Sequence, residues 1–147
     1  MYDEDRLFIP LPRADCMRLL STVRLGRVVY TDGALPAITP VNFAVDDGAI
    51  VFRTAPGSTL ALATQNAVVA FEADDIDPAD HDGWSVVVTG VADGVPEPSL
   101  LAHRTQRLNP WAPGERSHYV RIVPATVTGR RLVRTGPIES HCGTFGP

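Results

Sequence analysis

The sequence predicts a mainly β (α+β) fold, in which about six antiparallel strands form a closed or partly closed barrel flanked by two or three helices. Apolar residues recur with a period of two in several short segments, which is typical of strands. Turn signals separate these segments, among them Asp32-Gly33 and Asp46-Asp47-Gly48. Residues 84–92 are apolar on both faces, as in a barrel wall or an interface. Closure is expected because it removes exposed sheet edges.

The first third of the chain predicts a helix followed by a three-stranded meander. Residues 1–10 show no clear period and are expected to form an N-terminal arm. Residues 13–24 carry an apolar stripe at helical spacing, and Gly26 suits a left-handed cap after that helix. The strands are expected at 27–31, 35–45 and 49–54. The second should be broken or bulged near Pro36 and Pro40, because proline cannot donate to a ladder.

The remaining elements are separated by turn-rich or charged segments. A short helix is expected at 58–65, after the interruption Ala55-Pro56-Gly57-Ser58. The further expectations, in chain order, are a strand at 68–73, an acidic loop at 74–83, a strand at 84–92, a helix at 98–108, a rigid loop at 109–114, a long strand or strand pair at 118–133 with a break at Pro124, and a C-terminal tail at 134–147.

Composition and charge exclude several classes of protein. A length of 147 residues fits one domain, 1–147, because two halves would each be too small for a good core. A net charge of −4 argues against a nucleic-acid partner. No apolar run of about 18 residues and no signal-peptide pattern are present, which argues against a membrane partner and secretion. Cys16 and Cys142 form no CxxC motif, so free thiols in a reducing cytoplasm are expected.

Most familiar catalytic motifs are absent from the sequence. It has no GxGxxG after a strand, no P-loop and no HExxH, so Rossmann-type, P-loop and zincin chemistry are not expected. The four histidines make no close ligand pair, and the aspartates of 74–82 lack EF-hand spacing, so no metal site is predicted. No side chain is nominated as a catalytic acid or base.

The informative segment is residues 52–60, FRTAPGSTL, where a strand gives way to a glycine turn and a short helix. Arg53 offers a full positive charge, Ser58 and Thr59 offer hydroxyl donors, and Gly57 allows a ligand close to the backbone. These features are typical of a phosphate cradle. The alternative is structural, with Ser58 as a helix cap and Arg53 as a solvated strand residue.

The order of these segments resembles the pyridoxamine 5′-phosphate oxidase-like family, which has the flavin-binding split-barrel fold. The resemblance covers about residues 7–132. It depends most on five stretches: Pro40-Val41-Asn42-Phe43, FRTxxGS, Val69-Ala70-Phe71-Glu72, Gly83-Trp84-Ser85-Val86 and Asn109-Pro110-Trp111. It implies a six-stranded antiparallel split β-barrel that forms a homodimer with two flavin sites at the subunit interface.

The resemblance also implies roles for particular residues. Val41, Asn42 and Phe43 match the strand beside the isoalloxazine ring of FMN, and Trp84 and Ser85 match a strand start near that ring. The phosphate would be held by the segment that carries Arg53, Thr54, Ser58 and Thr59. Trp111 would approach the site from the partner chain. Alternatives stay open: Trp84 as a core or interface anchor, Trp111 as packing beneath its loop, and Asn42 as a satisfied buried amide.

One departure from the family affects the choice of cofactor. Thr59 stands where relatives usually carry Lys, and all 13 basic residues of this chain are Arg. Losing a cation beside the FMN phosphate could cost on the order of 1–3 kcal/mol. Three functions are therefore open: an FMN-dependent oxidoreductase acting on a small-molecule substrate, the same fold using an 8-hydroxy-5-deazaflavin coenzyme, or a non-catalytic binding protein.

Overall fold

The computed structural model describes residues 6–96 and 117–134, and in this part the chain forms seven strands and two helices. Helix α1 spans Arg13–Leu20 and helix α2 spans Thr59–Ala63. The strands are β1 Arg6–Pro10, β2 Leu25–Asp32, β3 Leu35–Asp46, β4 Ala49–Thr54, β5 Ala67–Ile76, β6 Gly83–Gly94 and β7 His118–Arg134. The expected helix at 98–108, the loop at 109–114 and the tail beyond residue 134 lie outside the described residues.

Six of the strands close into a ring, which confirms the predicted mainly β barrel. Every pairing is antiparallel, and the order β7-β4-β3-β2-β5-β6 returns to β7. β7 closes the ring because residues 118–122 pair with β4 along one edge, while residues 120–132 pair with β6 along the other. β1 is added outside the ring, against the end of β7.

Within the expected N-terminal arm at 1–10, residues 6–10 form a strand that the sequence did not predict. These residues form β1, with Phe8 opposite Leu132 and Pro10 opposite Arg130. The sequence of residues 6–10 shows no polar–apolar alternation, since Phe8 and Ile9 are consecutive apolar residues. Both side chains are exposed in the structure. The strand depends on the free edge of β7, which no local pattern reveals.

Helix α1 ends four residues earlier than expected, and Gly26 is not its cap. Ser21 takes the C-cap position, and β2 already begins at Leu25. Gly26 is needed inside β2 for another reason: a Cβ there would lie 2.2 Å from Cζ of the fully buried Phe71. The glycine therefore permits close packing of β2 over an aromatic ring rather than a left-handed turn.

The two predicted hairpins are present, but the expected break in β3 is not. Gly33 has φ +64° in the first turn, and Asp47 and Gly48 have φ +51° and +76° in the second. Pro36 and Pro40 lie in a continuous register with β2. The N–H of Phe43 points to β2, so by alternation the nitrogens of residues 36 and 40 point away from it. Those nitrogens face the side of β3 on which β4 lies, but β4 pairs only with residues 43–46. The two prolines therefore remove no hydrogen bond from the described β3–β4 ladder.

Later boundaries differ by a few residues from the sequence prediction. β5 extends to Ile76, so Asp74 and Asp75 belong to a strand rather than to the acidic loop. β7 is one strand, and Pro124 marks a register shift against β6 instead of a break. A bulge of this kind bends a long strand without ending it.

The core fills the inside of the ring. Its fully buried side chains include Phe43, Phe52, Phe71, Leu20 and Ile122. Phe43 and Phe71 meet edge to face, with ring centroids 4.7 Å apart. Helix α1 closes one end of the barrel and contributes Cys16, which is fully buried as its position on the helical stripe predicted. Burial raises the pKa of the Cys16 thiol, as expected for an inert packing residue.

The outer surface of the barrel is covered at one end and uncovered elsewhere. Outside β4, the side chains of Ala44, Val51 and Tyr119 form a second small core with Val95. Around the rest of the barrel, the outward residues are the alternate ones of 25–31, 36–42, 68–74, 85–91 and 123–130. All of these side chains are exposed or half-buried.

Candidate functional site: the outward face of β4 and its neighbours

Arg53 lies on the outward face of β4, because Phe52 and Thr54 on either side of it point into the barrel. Phe52 is fully buried and Thr54 is 7% exposed, whereas Arg53 is half-buried. Its strand partner is Tyr119 on β7, and its guanidinium carbon lies 5.2 Å from the centre of the Tyr119 ring. The ring face attracts the cation and holds it against the sheet.

Asn42 lies beside Arg53 on the same face. β3 and β4 are antiparallel and Phe43 is paired with Phe52. Continuing that register by one residue places Asn42 opposite Arg53. The Asn42 Nδ2 donates to the Arg24 carbonyl at 3.4 Å, and Arg24 also accepts from the backbone N–H of Phe43. Val41 and Phe43 are buried in the core, so they offer only backbone atoms to a ligand on this face.

The turn after β4 presents open backbone beside these residues. Gly57 has φ +73°, and a Cβ built on it would meet no atom within 4 Å. Ser58 caps α2, since its Oγ accepts from the Ala61 N–H at 3.1 Å and lies 3.0 Å from the Thr54 hydroxyl. Thr59 is exposed at the first position of the helix. Ser58 is therefore a helix cap, and its hydroxyl already forms hydrogen bonds with Thr54 and with the backbone of Ala61.

The chemistry of this set fits a phosphate group. Arg53 supplies a guanidinium, Gly57 leaves space for close approach, and Thr59 supplies an exposed hydroxyl. A guanidinium can bind two phosphate oxygens at once, and backbone and hydroxyl donors add directed hydrogen bonds. Helix α2 has only five residues, so the charge of Arg53 matters more than a helix dipole.

The remaining predicted residues do not gather at the same point. Trp84 is 6% exposed and belongs to the main core, the packing alternative considered for it. Ser85 points outward on β6, which is three strands from β3 in either direction around the ring, so Ser85 and Asn42 face opposite sides of the barrel. It lines a cavity of about 180 Å³ with Thr128 and Arg130. Trp111 lies outside the described residues.

A charged cluster between these two regions was not predicted. The Arg27 Nη1 lies 3.1 Å from Glu72 Oε1 and 3.8 Å from Asp74 Oδ1. Burial, and then the hydrogen bond and charge of Asp74, raise the pKa of Glu72 to about 7, although Arg27 opposes the shift. A cavity of about 390 Å³ borders the cluster, lined by Arg24, Leu25 and Asp75 among others. Alternation in β2 and β5 could have placed these charges on one face, but pairing of the two strands was not predictable.

His118 is a second residue that the sequence did not single out. It opens β7 opposite Thr54, and its Nε2 atom is buried without a hydrogen-bond partner in the described part of the chain. Its position one residue before Tyr119 places it next to the Arg53 site but on the inward side of the sheet. No spacing or motif marks it.

Neither a metal-binding cluster nor a membrane-spanning helix is found among the described residues. Within residues 6–96 and 117–134, no three His, Cys, Asp or Glu side chains are grouped so that they could hold a metal ion. Neither α1 nor α2 has the length and apolar character needed to span a membrane.

Comparison with known proteins gives consistent matches over most of the chain. A protein-family model described as pyridoxamine 5′-phosphate oxidase matches residues 12–131. The uncharacterized protein Rv0080 of Mycobacterium tuberculosis is 44% identical over 133 residues, which is 87% of this chain and 88% of that protein.

Two solved structures combine similar sequence with the same fold. An FAD binding protein from Mycobacterium smegmatis is 38% identical, with a TM-score of 0.66 over 85% of this chain and 98% of its own. An FAD-binding protein from Mesorhizobium loti is 25% identical, with a TM-score of 0.68 over 88% of this chain and 99% of its own.

Proposed function

The chain belongs to the pyridoxamine 5′-phosphate oxidase family, and on that premise we propose that it is a flavin-dependent oxidoreductase. It would bind FMN, work as a homodimer with its flavins at the subunit interface, and transfer hydride or electrons to or from a small-molecule substrate. The observation that carries the proposal is Arg53, held on Tyr119 on the outward side of β4, four residues before the open turn at Gly57. Two similar structures are of FAD-binding proteins, which supports a flavin as the ligand class.

Each part of the proposed site has a physical role. Arg53, the backbone at Gly57 and the Thr59 hydroxyl would hold the phosphate. The outward surface at Asn42 would lie along the ring system, and the amide would meet the polar edge of the ring. A bound flavin would supply the redox chemistry, while the protein supplies position and electrostatics.

FMN is the first cofactor to test, because the guanidinium of Arg53 at the end of β4 matches a single terminal phosphate. FAD is the second, because similar proteins bind it. A deazaflavin coenzyme is the alternative that Thr59 favours. With no lysine in the chain, phosphate binding there depends on Arg53, and a coenzyme with a long tail has other contacts to offer.

The partner subunit completes the proposed site. Asn42 and Arg53 are half-buried and keep part of their surface in contact with solvent, and a planar ring needs a second wall to exclude water. Under the family resemblance, Trp111 of the other copy would provide part of that wall. A non-catalytic binding protein would have the same site without turnover.

A cofactor panel tests the proposal. The purified protein is titrated with FMN, FAD and the deazaflavin coenzyme, following flavin fluorescence, and each complex is then assayed for oxidation of the reduced cofactor by oxygen or an added acceptor. Saturable micromolar binding of FMN with turnover is expected. Tighter deazaflavin binding would select the alternative, binding without turnover would select the non-catalytic function, and no binding of any cofactor would overturn the flavin assignment.

A further inference from the structure

We propose that a small cavity on the outside of β6 and β7 binds a phosphate group through the guanidinium of Arg130 and the hydroxyls of Ser85 and Thr128. The cavity measures about 180 Å³, and its other lining residues are Val87 and Gly129. It shares no residue with the proposed flavin phosphate site near Arg53. The inference therefore goes beyond the proposed function and does not depend on it.

The register of β6 and β7 brings the three donors together. Ser85 is paired with Arg130, and Val87 is paired with Thr128. Alternation along the strands sets these four side chains on the outward surface, while Val86 faces the core. Directly paired side chains have Cβ atoms about 5 Å apart. One phosphate group between the strands is therefore within reach of both hydroxyls and of the guanidinium.

Arg130 is held in place without losing its charge. At this residue β7 is paired with β6 on one edge and with Pro10 of β1 on the other. The guanidinium carbon lies 5.3 Å from the centre of the Phe8 ring, whose face attracts the cation. Within residues 6–96 and 117–134, no carboxylate forms an ion pair with Arg130. Its positive charge is therefore available to a ligand.

The two hydroxyls are available as well. In the part of the chain that the structure describes, neither the Ser85 nor the Thr128 side chain forms a hydrogen bond. Phosphate oxygens accept several hydrogen bonds each, and a guanidinium can bind two of these oxygens at once. Two unused hydroxyls beside an arginine in a concave surface therefore match the chemistry of a phosphate group.

One nearby carboxylate opposes an anion in this cavity. Asp74 on β5 is paired with Ser85 from the side away from Arg130. Its Oδ1 lies 3.8 Å from the Arg27 Nη1, which is also 3.1 Å from Glu72 Oε1. Arg27 offsets only part of the negative charge of the two carboxylates. We therefore expect weak binding, with a dissociation constant on the order of 1 mM.

The volume of the cavity limits what can enter it. At about 180 Å³ it holds roughly six times the ~30 Å³ that one water molecule occupies in the liquid. It is smaller than the ~300 Å³ at which pockets for whole organic ligands begin, so it does not accommodate a flavin ring. Two sources fit: free inorganic phosphate, and the terminal phosphate of an organic ester whose remainder lies outside the cavity.

An NMR titration of the ¹⁵N-labelled full chain tests the inference, with inorganic phosphate in one arm and phenyl phosphate in the other. The backbone amide signals of Ser85 and Gly129 report this cavity, and those of Gly57 and Thr59 report the Arg53 site. We expect saturable shifts at Ser85 and Gly129. Tighter binding of inorganic phosphate would identify the free ion as the ligand, and tighter binding of phenyl phosphate would identify an ester.

Three variants separate a built site from general charge attraction. Arg130→Gln should raise the dissociation constant at this cavity by about tenfold or more, as the loss of a charged hydrogen bond implies. Arg131→Gln removes the same charge from the next residue of β7, which by alternation faces the other side of the sheet, and should change the constant by no more than about twofold. Asp74→Asn should lower the constant by about twofold. Circular dichroism checks that each variant is folded.

Two results would overturn the inference. One is the absence of saturable shifts at Ser85 and Gly129 with both phosphates. The other is equal weakening by Arg130→Gln and Arg131→Gln, which would mean that phosphate responds to net charge alone. Arg53→Gln should leave the Ser85 titration unchanged, so the two phosphate sites are tested independently of each other.

Discussion

The guanidinium of Arg53 rests on the ring of Tyr119, 5.2 Å from its centre, on the outward side of the barrel. The contact joins the end of β4 to the start of β7, two strands that are distant in sequence. It fixes the cation of the proposed phosphate site at the end of β4, four residues before Gly57. Predictions about flavin binding depend on this relationship.

Removing the aromatic ring should weaken cofactor binding. In Tyr119→Leu the guanidinium loses its cation–π contact, worth about 0.5–1 kcal/mol, so the FMN dissociation constant should rise about two- to fivefold. Tyr119→Phe keeps the ring and is the matched control. Fluorescence titration checks both variants. Equal weakening by Phe and Leu would mean that the ring face is not what matters.

Gly57→Ala should affect both stability and flavin binding. Alanine at φ +73° costs about 1–2 kcal/mol, and its methyl group would point into the open space proposed for phosphate. Gly33→Ala is the matched control, because Gly33 has φ +64° and the same open surroundings in the β2–β3 hairpin. Thermal unfolding should show similar losses, but only Gly57→Ala should weaken FMN binding. Equal FMN affinity in the two variants would contradict the cradle.

The stability of the fold should fall as pH rises from about 4.5 to 7. Glu72 binds its proton more tightly in the folded chain than in the unfolded chain, because its pKa is raised from 4.5 to about 7. Stability gained from that proton is complete below pH 4.5 and is lost as pH passes 7. Denaturant unfolding of Glu72→Gln at pH 8 should show a gain on the order of 1 kcal/mol, after allowance for solvent screening. A variant as pH-dependent as the parent would refute this assignment.

Gly26→Ala should destabilise the barrel by about 1–3 kcal/mol through overpacking. The new Cβ would lie 2.2 Å from Cζ of Phe71, whose ring is held by Phe43 and cannot easily move. Chemical denaturation measures the loss. A neutral result would show that β2 can shift away from the ring.

Much of the fold could be predicted from the sequence because it depends on local patterns. The two tight hairpins, the strand that carries Arg53 and the glycine turn after it all follow from alternation and turn chemistry, and the structure has them. The added strand at Phe8 and the packing role of Gly26 could not be predicted, because both depend on strands that meet only after the barrel closes.

Only part of the candidate site could be predicted from the sequence. Arg53, Gly57 and Ser58 are close along the chain, so a local pattern could identify them. Tyr119 and the pair Arg27–Glu72 come from distant segments, and their partners are set by the order of strands in the ring. Alternation states that Trp84 and Ser85 face opposite sides, but not which side faces the core.

The central claim is that Arg53 holds the phosphate of a flavin, and comparing FMN with riboflavin, which lacks that phosphate, tests it most directly. Dissociation constants are measured for the parent, for Arg53→Gln, and for Arg18→Gln as a control at an exposed arginine of α1. We predict that the parent and Arg18→Gln bind FMN at least about tenfold more tightly than riboflavin, as a charged hydrogen bond implies. We predict that Arg53→Gln loses this preference. An undiminished preference for FMN in Arg53→Gln would contradict the account.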